Sequence, residues 1–498
     1  MSTLPSISLQ SIVDALAAAN CPARLVGDNA TVRGMTVDSR EATPGCLFVC
    51  KGVAFKPAFL ASAVEAGAGA YLCDEAHAPQ LEEVAGTTPH IVAADVRRAM
   101  ALAAAAVYGN PDERLNIMGI TGTKGKSTTA YMLRSIFEAA GLETSILGSI
   151  ETDDGLEHYE SHNTTPEAPE LWRHLRNTEE AGRDIMVMEV SSHGLKYDRV
   201  LGLHLNSACF LNIGRDHISP VEHADFEDYF SSKLRIFEQC ETAVVNLDSD
   251  HADRVLKAAE NAERLVTFGI EHEADFMARN IVPSHQGIAF DLVAEGQTHS
   301  ITLGMAGAFN VSNALAACVM ARLAGVGFNA IAAGLAHVRV PGRMELVASA
   351  DGGVVAIVDY AHNELSFETL FTSVKNEYPG RRIIAVFGAP GNKAEERREC
   401  LPRVAGAYAN AIIYTEEDPA HERVEDICAQ LVANTPAGVA HEVVYDREAA
   451  VARAFELAGE GPAVVLLLGK GDETRQHRGD EYPEVTSDLA LARMHLNA

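Results

Sequence analysis

Among 498 residues there is a single tryptophan, and aromatic residues make up only 6% of the chain. Basic residues are scarce as well: 40 Lys and Arg stand against 69 Asp and Glu, a net charge of −29. Nucleic acids and anionic membrane surfaces both call for basic patches, so this deficit argues against either partner. No apolar run is long enough to cross a bilayer; runs such as Ala463 to Leu468 have the length of a strand. Met1 to Gln10 has neither a basic leader nor a long apolar core, so no signal peptide is expected. Nine cysteines are scattered without a C-x-x-C pair, and the two nearest, Cys46 and Cys50, share one strand-like run. That pattern speaks against a zinc or disulfide framework and for a reduced, cytoplasmic chain with buried thiols. Internal repeats and low-complexity tracts are absent too. What is left is ordinary globular composition, 47% hydrophobic and 22% charged, over a length that suggests three domains at about 150 residues each.

One stretch organises the rest. The apolar run Leu115 to Met118 leads into Gly119-Ile120-Thr121-Gly122-Thr123-Lys124-Gly125-Lys126-Ser127-Thr128, and a helical pattern (Ala130, Leu133, Ile136, Phe137, Ala140) leads out. Strand, glycine loop and helix form an arrangement that holds a triphosphate. Glycines let backbone N–H groups converge on phosphate oxygens, and the helix N-terminus adds a positive dipole end. Lys126 can reach the β- and γ-phosphates, and the Ser127 hydroxyl suits Mg²⁺. The common G-x4-G-K-S/T pattern is missed by one residue, since position 120 is Ile.

Around this loop the chain reads as α/β with three domains. Residues 1–112 form a small α/β domain that closes at Tyr108-Gly109-Asn110-Pro111, a cluster of turn residues. Residues 113–340 form a central P-loop domain in which strands alternate with helices, the signature of a largely parallel sheet. Its strands Ile185 to Val190 and Ala208 to Ile213 run into the polar tips Ser191-Ser192-His193-Gly194 and Gly214-Arg215-Asp216-His217. Ligands of open α/β sheets bind beyond such carboxyl ends, so the tips are expected to gather near the glycine loop. The alternating segment 274–305 reads as an antiparallel flap, and Phe309 to Leu323 as a helix. Residues 341–498 form a third, Rossmann-like α/β domain with strands at 354–358, 383–387, 411–415 and 463–468.

Several residues carry two readings each on sequence alone. Glu189 and His217, at what read as neighbouring sheet tips, could ligate Mg²⁺ or form a hydrogen-bonded pair with no metal. Lys233 lies in a helix whose buried face would be Phe230, Leu234 and Phe237, and such a lysine ordinarily faces solvent. Asn163-Thr164-Thr165-Pro166-Glu167 reads as a loop entering a helix, with Pro166 in its first turn. Asp359-Tyr360-Ala361-His362 offers a general base or a satisfied strand end.

Taken together, these motifs resemble the Mur ligase family, the ATP-dependent amino-acid ligases of peptidoglycan precursor synthesis. The resemblance rests on Thr121-Gly122-Thr123-Lys124-Gly125-Lys126-Ser127, Asn163-Thr164-Thr165-Pro166-Glu167, Met188-Glu189-Val190-Ser191-Ser192-His193, Asp216-His217, Tyr229-Phe230-Ser231-Ser232-Lys233, Pro341-Gly342-Arg343-Met344-Glu345 and Asp359-Tyr360-Ala361-His362. Asp38-Ser39-Arg40 and the Asn-Thr-Thr-Pro and Glu-Val-Ser-Ser-His segments point to the branch that adds the third peptide residue to UDP-N-acetylmuramoyl-L-alanyl-D-glutamate. The resemblance implies phosphorylation of the D-glutamate γ-carboxylate by ATP, then attack of an amine on the acyl phosphate. It implies two Mg²⁺ ions, with Ser127 and Glu189 on one and His217 on the second. It implies that Lys233 carries a carbamate derived from CO₂, a further oxygen ligand for the second Mg²⁺. Gly122, Thr123, Lys124, Gly125, Lys126, Ser127 and Thr128 would hold ATP, with Asn310 assigned to adenine and Arg343 and Asp359 to phosphate and ribose. Ser39 would lie near the uridine, and Thr164, Thr165, Ser191 and Arg199 would hold the muramoyl-dipeptide. Lys124 departs from the family, where Asn is usual. A cytoplasmic monomer is expected.

The amine is indicated by a departure from the family pattern. Family members that add meso-diaminopimelate carry Asp-Asn-Pro-Arg, whose arginine clamps the extra carboxylate. Here the stretch is Thr415-Glu416-Glu417-Asp418-Pro419-Ala420: Ala420 replaces the arginine, and Asp418 replaces the Asn. Glu416, Glu417 and Asp418 should repel a carboxylate and attract an ammonium, which favours L-lysine. In Gly469-Lys470-Gly471-Asp472-Glu473, Asp472 stands where His is usual, while Glu473 is kept and is placed to hold the α-amino group. L-Ornithine differs by one methylene, worth only about 1–3 kcal/mol, and meso-diaminopimelate is the other alternative. Folylpolyglutamate synthases share the loop but lack a uridine-binding domain like residues 1–112. An inactive precursor sensor would be expected to have lost one of Lys126, Glu189, His217 or Lys233, and all four are present.

Overall fold

The computed structural model describes residues 6–52, 54–216, 218, 222–284, 287–459 and 461–497. Backbone packing divides the chain into two compact units, residues 1–277 with 315–331, and residues 278–314 with 332–498. Both are α/β, with mostly parallel sheets.

Besides a two-stranded ribbon of Ile7–Ser8 and Thr31–Val32, the first unit holds two larger sheets. The smaller has five strands in the order Ala23–Val26, His90–Ala93, Ala70–Asp74, Leu47–Val49, Met35–Thr36, parallel except for the first pair. Helices Leu9–Ala18 and Val96–Tyr108 cover it; Ser8 caps the first and Asp95 the second, each accepting a backbone N–H from three residues on. The second helix stops at Gly109, left-handed at φ +77°. Its alanine-rich face lies against helix Ala168–Glu180 of the central region, where Trp172 is fully buried. Small side chains let the two helices approach closely, which joins residues 1–112 to the central sheet and its helices.

The central sheet is built on β1 (Asn116–Thr121), which feeds α1 (Lys126–Ala139). β2 (Ile185–Glu189) and β3 (Leu205–Phe210) both pair with β1 in parallel, one on each side. The two polar tips are therefore not neighbours; the loop-bearing strand runs between them. Strand Thr144–Leu147 lies beyond β2, and strands Cys240–Asn246 and Arg264–Gly269 beyond β3. β1, β2 and β3 are buried almost throughout, as expected of parallel strands covered on both faces. The helix after the Asn-Thr-Thr-Pro loop begins at Ala168, with Glu167 extended as its cap and Pro169 in its first turn. Pro166 thus stays in the loop, contrary to expectation. Thr165, which donates to the Glu189 carbonyl of β2 and accepts the Ser191 N–H, anchors that stretch outside the helix. α2 (Phe226–Leu234) comes next, capped by Asp225.

In the second unit, strands Gly287–Ala294 and Gln297–Leu303 pair antiparallel through a turn at Glu295 (φ +53°) and Gly296 (φ +75°), as expected of the flap. Its larger sheet runs Glu345–Ala348, β4 (Val354–Asp359), Ala463–Leu468, Arg382–Phe387, Ala411–Tyr414, His441–Val443. All pairs are parallel except the first. The four strands expected here are all present. All nine cysteines are buried and unpaired. Among the described residues, no helix is long and apolar enough to cross a membrane.

Candidate active site

The loop after β1 is a tight glycine turn held from both sides. Gly122 has φ +155°, and a Cβ there would meet the Leu211 Cβ at 2.9 Å, so only glycine fits this turn. Asn212, just past β3, fastens the loop: its Oδ1 accepts the Lys124 N–H (2.9 Å) and its Nδ2 donates to the Lys124 carbonyl (3.0 Å). The Thr123 hydroxyl accepts the Gly214 N–H at 3.0 Å and lies 3.1 Å from the Tyr229 hydroxyl. Lys126 opens α1 and folds its Nζ back over the loop, donating to the Gly122 and Thr123 carbonyls at 2.9 and 3.3 Å. Ser127 and Thr128 lie in the first turn.

Lys233 is brought to the same carbonyl. Its Nζ donates to Gly122 O at 2.9 Å and sits 4.8 Å from the centre of the Tyr229 ring. The residue is 2% exposed. A helical pattern alone would leave it in solvent; instead α2 turns it inward beside Tyr229 and Phe230. Burial, reinforced by the nearby Lys126 charge, holds its ammonium well below the ordinary lysine value, with Asp216 opposing and Lys124 adding to the fall. Lys124 itself is ion-paired with Asp216 at 3.2 Å. His217 lies outside the described residues.

On the other side of β1, Glu189 ends β2 with a carboxylate 2% exposed. It accepts the Ser149 N–H at 2.9 Å and the Ser149 hydroxyl at 3.2 Å. The Ser149 hydroxyl lies 2.9 Å from that of Thr164. Gly148 makes this possible: a Cβ there would lie 2.4 Å from Glu189 Oε1. Thr165 donates to the Glu189 carbonyl and accepts the Ser191 N–H, both at 2.9 Å. Arg199 donates to the Thr165 carbonyl at 2.8 Å and reaches Glu167 at 3.2 Å. Lys51, at the end of strand Leu47–Val49, meets Glu167 at 2.6 Å. Glu189, Thr164, Thr165, Ser191 and Arg199 therefore form one connected patch. Ser39 is half-buried in the turn after Met35–Thr36, beside the exposed Asp38–Arg40 pair.

The second unit carries the remaining candidates. Asn310 is buried, donating to the Ala306 carbonyl (2.7 Å) and accepting from Asn313 (2.9 Å). Asp359 ends β4 and accepts the N–H groups of Met344 (2.9 Å) and Ala361 (2.8 Å). Arg343 lies over the Tyr360 ring at 4.5 Å, and Tyr360 hydrogen-bonds Glu473. Lys470, 2% exposed, bridges Asp418 (2.8 Å) and Glu473. Arg478 grips Glu416 with Nε and Nη2 at 3.1 and 2.5 Å. Glu417 is buried as well, and loss of hydration pushes its carboxyl up to about 7, against the pull of Arg397 and Arg447.

The acid-rich stretch is thus less negative than its sequence suggests. Asp418 and Glu416 have cationic partners, and Glu417, raised to about 7, carries only part of its charge near neutrality. Ala420 takes a left-handed φ of +48° and makes backbone bonds alongside Arg478. Sequence reasoning missed Lys51, Ser149, Lys470 and Arg478. Lys470 stands inside the Gly469-Lys470-Gly471-Asp472-Glu473 motif and could have been found there; the others acquire meaning only from long-range contacts.

The profile of the Mur ligase middle domain matches residues 120–321, and that of the Mur ligase glutamate ligase domain matches residues 342–471. The chain is 33% identical to a UDP-N-acetylmuramoyl-L-alanyl-D-glutamate–L-lysine ligase of Enterococcus faecalis, over 94% of this chain and 92% of that one. It is 37% identical to a UDP-N-acetylmuramoyl-L-alanyl-D-glutamate–2,6-diaminopimelate ligase of Solibacter usitatus, over 93% of each. A solved structure of another 2,6-diaminopimelate ligase of this kind superposes with a TM-score of 0.69 at 25% identity, covering 99% of each chain.

Proposed function

The chain belongs to the Mur ligase family and is an ATP-dependent ligase of peptidoglycan precursor synthesis, and from that premise we propose that it adds L-lysine to the D-glutamate γ-carboxylate of UDP-N-acetylmuramoyl-L-alanyl-D-glutamate. The three regions divide the work: residues 1–112 receive the UDP end, 113–340 the triphosphate and the reacting carboxylate, 341–498 the amine. The observation that carries the choice of amine is Ala420 standing where the diaminopimelate-adding pattern has arginine, with the carboxylates of Glu416 and Glu473 lining the pocket that Arg478, beside Ala420, also lines.

The chemistry is charge neutralisation and positioning. Lys126 and the loop N–H groups offset phosphate charge as the γ-carboxylate attacks. Thr164, Thr165, Ser191 and Arg199, tied together through β2, orient the dipeptide beside Glu189. Glu189, Ser127 and His217 offer donors for Mg²⁺; the buried carboxylate and the hydroxyl are oxygen ligands of the kind it prefers. When bound there, Mg²⁺ would supply positive charge against the phosphates. Lys233 would enter that set as a carbamate: its neutral amine forms a bond to the carbon of CO₂ and releases one proton. The fit rests on its burial and on a site that disfavours its charged form. Glu473 receives the α-amino group of the incoming residue, which attacks the acyl phosphate and expels phosphate.

Phosphate release with the UDP-dipeptide and a panel of L-lysine, L-ornithine and meso-diaminopimelate tests the proposal. Higher kcat/KM with L-lysine is expected; a clear preference for meso-diaminopimelate would overturn the choice of amine.

A further inference from the structure

Three cations line the amine pocket; Arg447 is committed to Asp488 at 2.6 Å, and the other two differ in freedom. Lys470 has a side chain 3% exposed and is held by Asp418, by Glu473 and by the Arg475 carbonyl at 2.8 Å. Its desolvated ammonium has nowhere better to go. Arg478 has a side chain 48% exposed, while Glu416, which it grips, is 7% exposed. The Glu416 backbone is fixed, its N–H donating to Tyr445 O and its carbonyl accepting from Arg447, both at 3.2 Å, and its carboxylate is the buried member of the pair. The guanidinium can swing into water at small cost; the carboxylate then needs another cation.

Arg478 also stands where the chain lacks a long side chain. The Ala420 N–H donates to His477 O (3.0 Å) and Ala420 O accepts the Gly479 N–H (2.7 Å), so Arg478 projects from backbone directly beside Ala420. Glu416, Lys470, Glu473 and Arg478 line one pocket of about 190 Å³. We infer that Arg478 is a specificity-determining residue, whose guanidinium occupies on Glu416 the place that the ω-ammonium of the incoming diamino acid takes. The inference rests on the reading of this pocket as the amine site. The exchange replaces one cation by another on a buried carboxylate, so net charge in the pocket is conserved. An amino acid without an ω-ammonium cannot make it and leaves the pocket closed.

The test is the KM for L-lysine at saturating ATP and UDP-dipeptide in wild type, R478Q, R478K and E416Q, with L-norleucine as the amine lacking the ω-ammonium. Thermal unfolding checks that each variant is folded. With its competitor gone, R478Q should lower the KM for L-lysine about fivefold, the scale of a partly exposed ion pair. R478K should behave like wild type, and E416Q, which removes both the ω-ammonium's partner and the lock that Arg478 makes, should raise that KM about tenfold or more and narrow the discrimination between L-lysine and L-norleucine. An unchanged or higher KM in R478Q would overturn the inference, as would a loss in R478Q confined to meso-diaminopimelate, which would make Arg478 a carboxylate clamp. If the wild type prefers another amine, L-lysine enters as a competitive inhibitor of it. Tighter inhibition in R478Q then keeps the inference while the L-lysine assignment falls, and no inhibition of either protein overturns both.

Discussion

Replacing Lys233 by methionine separates its chemical role from its structural one. The structure gives Lys233 one hydrogen bond, to Gly122 O, and that carbonyl keeps a second donor in Lys126 at 2.9 Å. Losing one such bond costs about 0.5–1.5 kcal/mol. Methionine has similar volume and brings no desolvated amine, which offsets the loss. Folding stability of K233M at neutral pH should therefore match or exceed that of wild type. The sign with pH comes from the lysine being held well below its ordinary value of 10.5 in the fold. The unfolded chain binds the extra proton, so wild-type stability rises with pH up to 10.5, and the advantage of K233M shrinks across the same range. Activity should move the other way, because loss of a group that stabilises transferring phosphoryl charge costs about 10²–10³ in kcat. Denaturant unfolding in CO₂-free buffer at several pH values gives the first quantity, and ADP release with and without bicarbonate the second. K233M with wild-type turnover would refute a role for Lys233. A loss of several kcal/mol in stability would refute the view that its burial serves chemistry rather than packing.

Three further outcomes are expected. Glu417 is raised from 4.5 to about 7 in the fold, so its contribution to stability is whole below pH 4.5 and is lost as pH rises through 7, by roughly 3 kcal/mol. E417Q should abolish that part of the pH dependence in urea melts, and an unchanged slope would contradict a carboxyl raised by burial. G148A places a Cβ 2.4 Å from Glu189 Oε1, so Glu189 must shift; kcat should fall about 10-fold or more and the Mg²⁺ needed for half-maximal rate should rise. Wild-type Mg²⁺ dependence in that variant would mean that Glu189 is not a ligand. In ligand-free CO₂-saturated buffer, intact-mass measurement should find wild type, and not K233M, heavier by one CO₂; an equal gain in both would move the modification elsewhere.

The phosphate loop was legible because its determinants are local: glycines at turn positions, an apolar strand before, a helical period after. The strands of the last region were legible for a similar reason, since buried parallel strands read as unbroken apolar runs. Strand order was not legible. Glu189 and His217 were read as neighbouring tips, whereas β1 runs between β2 and β3, and pairing across the chain leaves no mark in either strand alone. Lys233 looks like any helical lysine until α2 is docked against the loop. The start of the helix after Asn163 was misjudged because two prolines, Pro166 and Pro169, can each serve as an opening residue. Tertiary bonds to Thr165 decide between them. The charge around Asp418 was overestimated because its partner Lys470 lies far along the chain, and the side chain beside Ala420 comes from Arg478, which sequence reasoning passed over.

The central claim is ligation of a diamino acid to the UDP-dipeptide through a γ-acyl phosphate, with L-lysine as the amine. ADP release measured with ATP, Mg²⁺, UDP-N-acetylmuramoyl-L-alanyl-D-glutamate and each amino acid in turn tests it most directly. Turnover that requires the UDP-dipeptide and is fastest per unit concentration with L-lysine is the predicted result; ADP release indifferent to the UDP-dipeptide, or supported by meso-diaminopimelate in preference to L-lysine, would contradict it.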